Sequence, residues 1–236
     1  MKLKSEIAWR LGYELVRIRK GHGPRALVWQ IIHASAPTVC FDVGANEGQW
    51  AGGVLSDDAS RRVVSFEPLS DAHRVLTEKA RAYPNWVLAP RMAIGNEDTE
   101  TIINISGFSQ SSSLLPMTHV HSDAVPETAY VSTETVAVRR LDGVAGEFLR
   151  PGDRVYLKID TQGFEREVLE GATGIMENVV ALQVELSFRE LYAGETLAAE
   201  MMAMIGGLGF QLFGFCNGLR DPKTKALLQA DAFFIR

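Results

Sequence analysis

Cysteine is scarce in this chain: two residues, Cys40 and Cys216, among 236. Two thiols in apolar runs build neither a disulfide framework nor a zinc site, and they suit buried thiols in a reducing compartment. Long apolar runs are lacking as well, since no stretch reaches the roughly 20 apolar residues that a bilayer-spanning helix needs. Arg10, Glu14 and Arg17 interrupt the region where a signal peptide would have to be apolar. A cytoplasmic location is therefore expected. Positive charge is not in excess either: a formal net charge of −5 gives no general affinity for a nucleic-acid backbone. No nucleic-acid partner is expected. Internal repeats and low-complexity runs are missing too. What is present is an ordinary globular composition, 46% hydrophobic and 22% charged, in a chain long enough for one large domain with a small appendage.

Along the chain the hydrophobic period changes once. Ile7, Leu11, Leu15 and Ile18 recur at helical spacing among basic residues, and the Gly21-His22-Gly23-Pro24 cluster ends that helix. "ALVWQIIHA" offers a second short helix, stopped at Pro37. Residues 1–37 thus read as an N-terminal helical extension. A basic amphipathic helix can make peripheral contact with a membrane surface, although packing against its own domain is the commoner use of such a stripe. From residue 38 to 236 strands alternate with helices: "TVCFDVG", "RVVSFEP", "WVLAPRMAIG", "RVYLKID" and "VVALQVELSF" read as strands, and "FQLFGFCNG" and "ADAFFIR" as a closing antiparallel hairpin. Ser70 or Asp71 should cap the helix that follows the second strand. This rhythm predicts an α/β fold, a mostly parallel seven-stranded sheet with helices on both faces. It breaks over about 99–140, a β-rich insertion whose middle carries Ser, Pro and His. A loop of that length inside a compact domain usually serves as a lid or binding segment.

"CFDVGANEGQW" runs from a strand through Asp42, Gly44, Asn46 and Gly48 into a helix. The dinucleotide fingerprint would need glycine at 44, 46 and 49, but position 46 is Asn and position 49 is Gln. Asn tolerates the left-handed backbone region better than most residues, so 44, 46 and 48 still make a cradle. Asp42 just before the loop would oppose a pyrophosphate and favour a cationic ligand such as the sulfonium and ammonium of S-adenosylmethionine. Glu67 ends the second strand 19 residues beyond Gly48, where acids in such folds take ribose hydroxyls.

The ordered motifs "FDVGANEGQW", "SFEP", "AIG", "LKIDTQGFEREVLEGA", "VELSFRELY" and "DAFFIR" resemble those of FkbM-type methyltransferases, over roughly residues 38–236, with "KIDTQGFE" the most particular. The resemblance implies a class I methyltransferase fold, Rossmann-like, with S-adenosyl-L-methionine as cofactor. It also implies O-methylation of a saccharide, glycolipid or other natural product. Asp42, Gly44, Asn46, Gly48, Glu67 and Ala93 become the cofactor-binding candidates.

Methyl transfer to a neutral hydroxyl needs alignment and proton removal. Asp160, closing the fourth main strand, and Glu185 on its neighbour are the leading candidates; the pair could hold a divalent cation, or one acid could act as base. Asp160 could equally cap the next helix. Gly163 would let backbone approach a ligand. His119 and His121 of "MTHVH" titrate near neutrality, and either could face the acceptor as general base. Two rival readings remain at this level: an NAD-dependent sugar oxidoreductase, and a non-catalytic interaction subunit on a methyltransferase fold.

Overall fold

The computed structural model describes residues 26–216 and 218–236. The helix expected over residues 7–18 lies outside them. Helix α1 (Ala26–Ser35) precedes strand β1 (Val39–Val43), α2 (Gln49–Asp57), β2 (Arg62–Phe66), α3 (Ser70–Ala80) and β3 (Trp86–Leu88). Strands β4 (Ala93–Gly95), β5 (Thr99–Ser106) and β6 (Tyr130–Arg140) follow, with α4 (His119–Ala124) between the last two. After α5 (Leu141–Val144), the chain alternates β7 (Val155–Ile159), α6 (Glu165–Gly171), β8 (Val179–Ser187) and α7 (Ala198–Gly207). It closes with β9 (Gln211–Phe215) and β10 (Gln229–Ile235).

The main sheet has seven strands in the order β3-β2-β1-β7-β8-β10-β9. Strands β3, β2, β1, β7 and β8 are parallel, and β10 runs antiparallel to both its neighbours, β8 and β9. This is the α/β arrangement expected from the sequence. Strand order reverses between β1 and β7, and a crevice opens there beyond the carboxyl ends. Apolar side chains bury both faces. Val39, Phe41, Leu157 and Leu182 pack with α6 and α7 residues on one side. On the other, Cys40, Tyr156 and Phe233 pack beneath Ile31 and Ile32 of α1 and Val54 and Leu55 of α2. No helix among the described residues is long and apolar enough to cross a membrane.

"WVLAPRMAIG" does not form one strand. Trp86–Leu88 joins the main sheet, whereas Ala93–Gly95 pairs with β6 in a separate three-stranded sheet, β4-β6-β5. Pro90 lies between them, and without an N–H it cannot carry a ladder through. The cap expected at Ser70 or Asp71 is also corrected. Ser70 is already helical and neither side chain caps; instead Glu67 accepts the Leu69 N–H and Glu134 of β6 accepts that of Ser70.

Candidate active site

Loop residues 44–48 turn tightly because three of them are left-handed: Gly44 at φ 73°, Asn46 at φ 47° and Gly48 at φ 79°. A Cβ on Gly44 would stand 1.9 Å from the Asp160 carbonyl oxygen. Glycine is thus required where the ends of β1 and β7 touch. Gly48 is enclosed differently, by the side chains of Leu76 and Trp86, and does not line the cavity. Glu67 is buried just past β2. Its Oε2 accepts the Asn46 N–H at 2.6 Å and its Oε1 the Leu69 N–H at 2.8 Å. Burial pushes this carboxyl up to about 7, against the pull of those two N–H groups.

A cavity of about 200 Å³ opens over the loop. Gly44, Asn46, Glu67 and Ala93 line it on the β1–β2 side, Met92, Ile94 and Phe164 add an apolar wall, and Asp160, Gln162 and Glu185 stand at the β7–β8 side. Ser109, Gln110, Ser112 and Leu114 reach it from the insertion, where Asn46 Nδ2 donates to Ser109 Oγ at 3.2 Å. Of the polar sequence candidates, Gly44, Asn46, Glu67, Asp160 and Glu185 therefore meet around one space.

Besides Gly48, three further candidates lie elsewhere. Asp42 is 0% exposed and sits under the cradle, 3.1 Å from the Lys158 ammonium; it reaches the cavity only through that lysine. His119 is exposed on α4 and does not line the cavity. His121 is buried edge-on against the Tyr192 ring at 5.2 Å, also off the cavity, and burial lowers its pKa. Helical spacing carries both imidazoles away from the site. Gly163 serves packing rather than ligand approach, since a Cβ there would meet the Tyr192 side chain at 2.8 Å.

Asp160 is not a helix cap. The Thr161 and Gly163 N–H groups donate to Glu165, at 2.8 and 3.0 Å. The Asp160 side chain, 34% exposed, pairs with Lys158 at 3.3 Å and accepts the Gln162 amide at 2.9 Å. The same amide donates to Glu185, and the Tyr192 hydroxyl donates to Gln162 Oε1 at 2.6 Å. Gln162 holds a left-handed backbone, φ 58°, to make this bridge, a strained conformation of the kind found at ligand sites. Burial alone would raise Asp160, but Lys158, Gln162 and Glu185 hold it below the usual carboxylate range. Burial and the Asp160 charge push Glu185 well above that range. The two carboxyls are thus pushed apart, Asp160 toward the anion and Glu185 toward the acid. Both Asp160 oxygens and Glu185 Oε2 already accept amide or ammonium donors, and the described residues contain no group of three or more potential ligands.

Lys158, Gln162 and Tyr192 complete this cluster, the first two from within the "KIDTQGFE" motif. A lone charge inside "VYLKI" was the available signal for Lys158. The cavity suits the expected donor: Glu67 keeps a free lone pair on each oxygen for a ribose diol, the left-handed loop leaves space above its backbone, and carboxylates outnumber the single ammonium, as a cationic ligand requires.

A sequence model of the methyltransferase FkbM domain matches residues 42–212. The hexuronic acid methyltransferase AglP of Haloferax volcanii is 28% identical over 179 residues, 73% of this chain and 66% of the relative. The chain thus spans just under two thirds of that relative's length. A TehB-like SAM-dependent methyltransferase from Corynebacterium glutamicum superposes at TM-score 0.43, with 11% identity over 100% of this chain and 95% of its own. A precorrin-6y C5,15-methyltransferase from Geobacter metallireducens does so at 0.46, with 10% identity over 90% and 87%. Scores that low add nothing to what the strand order shows.

Proposed function

This chain belongs to the FkbM methyltransferase family, and we propose that its S-adenosylmethionine-dependent reaction methylates a hydroxyl of a saccharide, glycolipid or other natural product. The observation carrying this reading is the Asp160 carboxylate, paired with Lys158 and partly exposed toward the cavity beside the cradle. Asp42 holds Lys158, Lys158 and Gln162 hold Asp160, and Tyr192 holds Gln162. A base fixed in this way can take the hydroxyl proton as the oxygen attacks. Glu185, beside it on β8, can help orient a second acceptor oxygen. Bound over the glycine loop, S-adenosylmethionine supplies an electrophilic methyl group and a thioether leaving group. The oxidoreductase alternative fails on family membership. The Haloferax relative, named for a hexuronic acid, supports a sugar acceptor.

The test is turnover of methyl-labelled S-adenosylmethionine with a panel of hexuronic acids, neutral hexosides and glycolipids, followed by NMR of the product. A new methyl ether is the expected outcome; methyl on nitrogen, carbon or a carboxylate overturns the hydroxyl reading. Asp160→Asn should lower turnover by about 100-fold or more while donor affinity stays within a few-fold. A chelator should leave turnover intact.

A further inference from the structure

A row of polar side chains crosses the sheet one residue short of the carboxyl ends of β1, β2 and β7. Backbone pairing sets Ser65, Asp42, Lys158 and Gln183 side by side on β2, β1, β7 and β8, and all four are buried. In-register neighbours point to the same face, so the row is continuous. Two of its members are charged, and burying ions is costly unless they are paired and hydrogen-bonded. Lys158 meets that condition fully. An ammonium has three N–H donors and no acceptor, and three oxygens surround this one: Asp42 Oδ1 at 3.1 Å, Asp160 Oδ2 at 3.3 Å and the Gly44 carbonyl at 3.0 Å. Those oxygens belong to different parts of the site. Asp42 is sealed beneath it, Gly44 begins the donor loop, and Asp160 faces the cavity.

We infer that Lys158 is a positioning residue for methyl transfer, its one ammonium aiming the Asp160 carboxylate into the cavity and tying it to the loop that holds the donor. The inference rests on the reading of Asp160 as proton acceptor. The carboxyl groups around Asp160 show why a cation is needed. Glu185 faces it from β8, Asp231 lies beyond Glu185 on β10, Glu165 stands on α6, and Asp42 lies across the ladder on β1. All are acids. Lys158 is the one cation among the described residues that line the cavity. Without it, Asp160 would share a proton with its neighbours and lose its capacity as base at neutral pH. Burial opposes the Lys158 charge, and the Asp160 and Asp42 carboxylates restore it, holding the ammonium above its ordinary range.

Two variants separate positioning from simple support. Lys158→Met leaves Asp42 sealed without a counter-charge and should lower Tm. Adding Asp42→Asn removes that orphan charge and should recover Tm. The Asp160 carboxyl is then titrated by NMR in protein labelled at aspartate Cγ, its resonance identified by its loss in Asp160→Asn. In the refolded double variant the midpoint should rise by about one pH unit or more, and the acid limb of the turnover profile with the methylated sugar should move with it. A double variant that regains Tm and titrates Asp160 as the wild type does overturns the inference. If the product carries its methyl on nitrogen, carbon or a carboxylate, the hydroxyl reading fails, and the titration still decides for or against Lys158.

Discussion

Glu67 holds two backbone N–H groups of different segments, one from the glycine loop and one from the entry to α3. Its remaining lone pairs would take the donor's ribose diol, and only the anion accepts both hydroxyls well. Because burial sets this carboxyl at about 7, protonation competes with the ligand below that pH. Affinity for S-adenosylhomocysteine should therefore fall as pH drops from 8 to 5.5, approaching tenfold per unit below about 7. Glu67→Ala should weaken binding at pH 8 by about 1–3 kcal/mol and abolish the pH dependence. Calorimetry across that range is the check, and a flat wild-type profile would refute the role.

The insertion shows how far an element can be read before folding. Its two long strands were legible from "TETIINIS" and "TETVAVRRL", because alternating β-branched residues mark a strand wherever it pairs. The short parallel strand β4 was not, since three residues carry no period of their own and pair with β6 only in three dimensions. The turn Ser109–Ser111 lies against Asn46 through side chains, whereas the following segment is tied by backbone, Met117 bridging Tyr192 and Ser113 bridging Asn104. Beyond residue 112 the segment is anchored through Ser113, Leu115, Pro116 and Thr118 to Gln162, Asn104, Ala193 and Leu191, so the part free to open and close over a ligand is the turn around 108–112. Hydrogen exchange over residues 107–130 should slow when S-adenosylmethionine and acceptor are both bound, with the largest change around 108–112. Strong protection that is the same with and without ligands would rule out a lid.

Across the whole molecule, buried acids set the response to pH. Burial pushes Glu67 up to about 7 and Glu165 up to about 8, both above the value near 4.5 expected in the unfolded chain. The folded state therefore keeps protons that the unfolded state releases, so this contribution is full below about pH 4.5 and lost as pH rises through 7 and 8. Depressed acids such as Asp153 and Asp160 act in the opposite window, losing their contribution only as pH falls below about 4. Urea midpoints should decline between pH 5 and 8 and then level off, the two raised groups together accounting for on the order of 3–6 kcal/mol. Glu165→Gln should make the decline shallower, and a midpoint that rises over this interval contradicts the assignment. The same scale explains what could be read in advance. The mostly parallel sheet with its alternating helices followed from local patterns and the loop after β1. Lys158 did not, because its meaning is its pairing with Asp42, 116 residues earlier in the chain, and that neighbour exists only once β1 and β7 are aligned. The small sheet β4-β6-β5 shares no ladder with the main sheet, and its apolar residues Ile103, Val136 and Val138 pack with Leu69 and Ala72 around α3 in a small core of their own. Such a part is exchangeable. The stretch between β5 and β6 can be lengthened or redecorated to suit a new acceptor, and a chimera joined there must preserve the fit of Ser109 on Asn46, of Ser113 on the Gln162 carbonyl, of Thr118 on Leu191 and of Glu134 on Ser70.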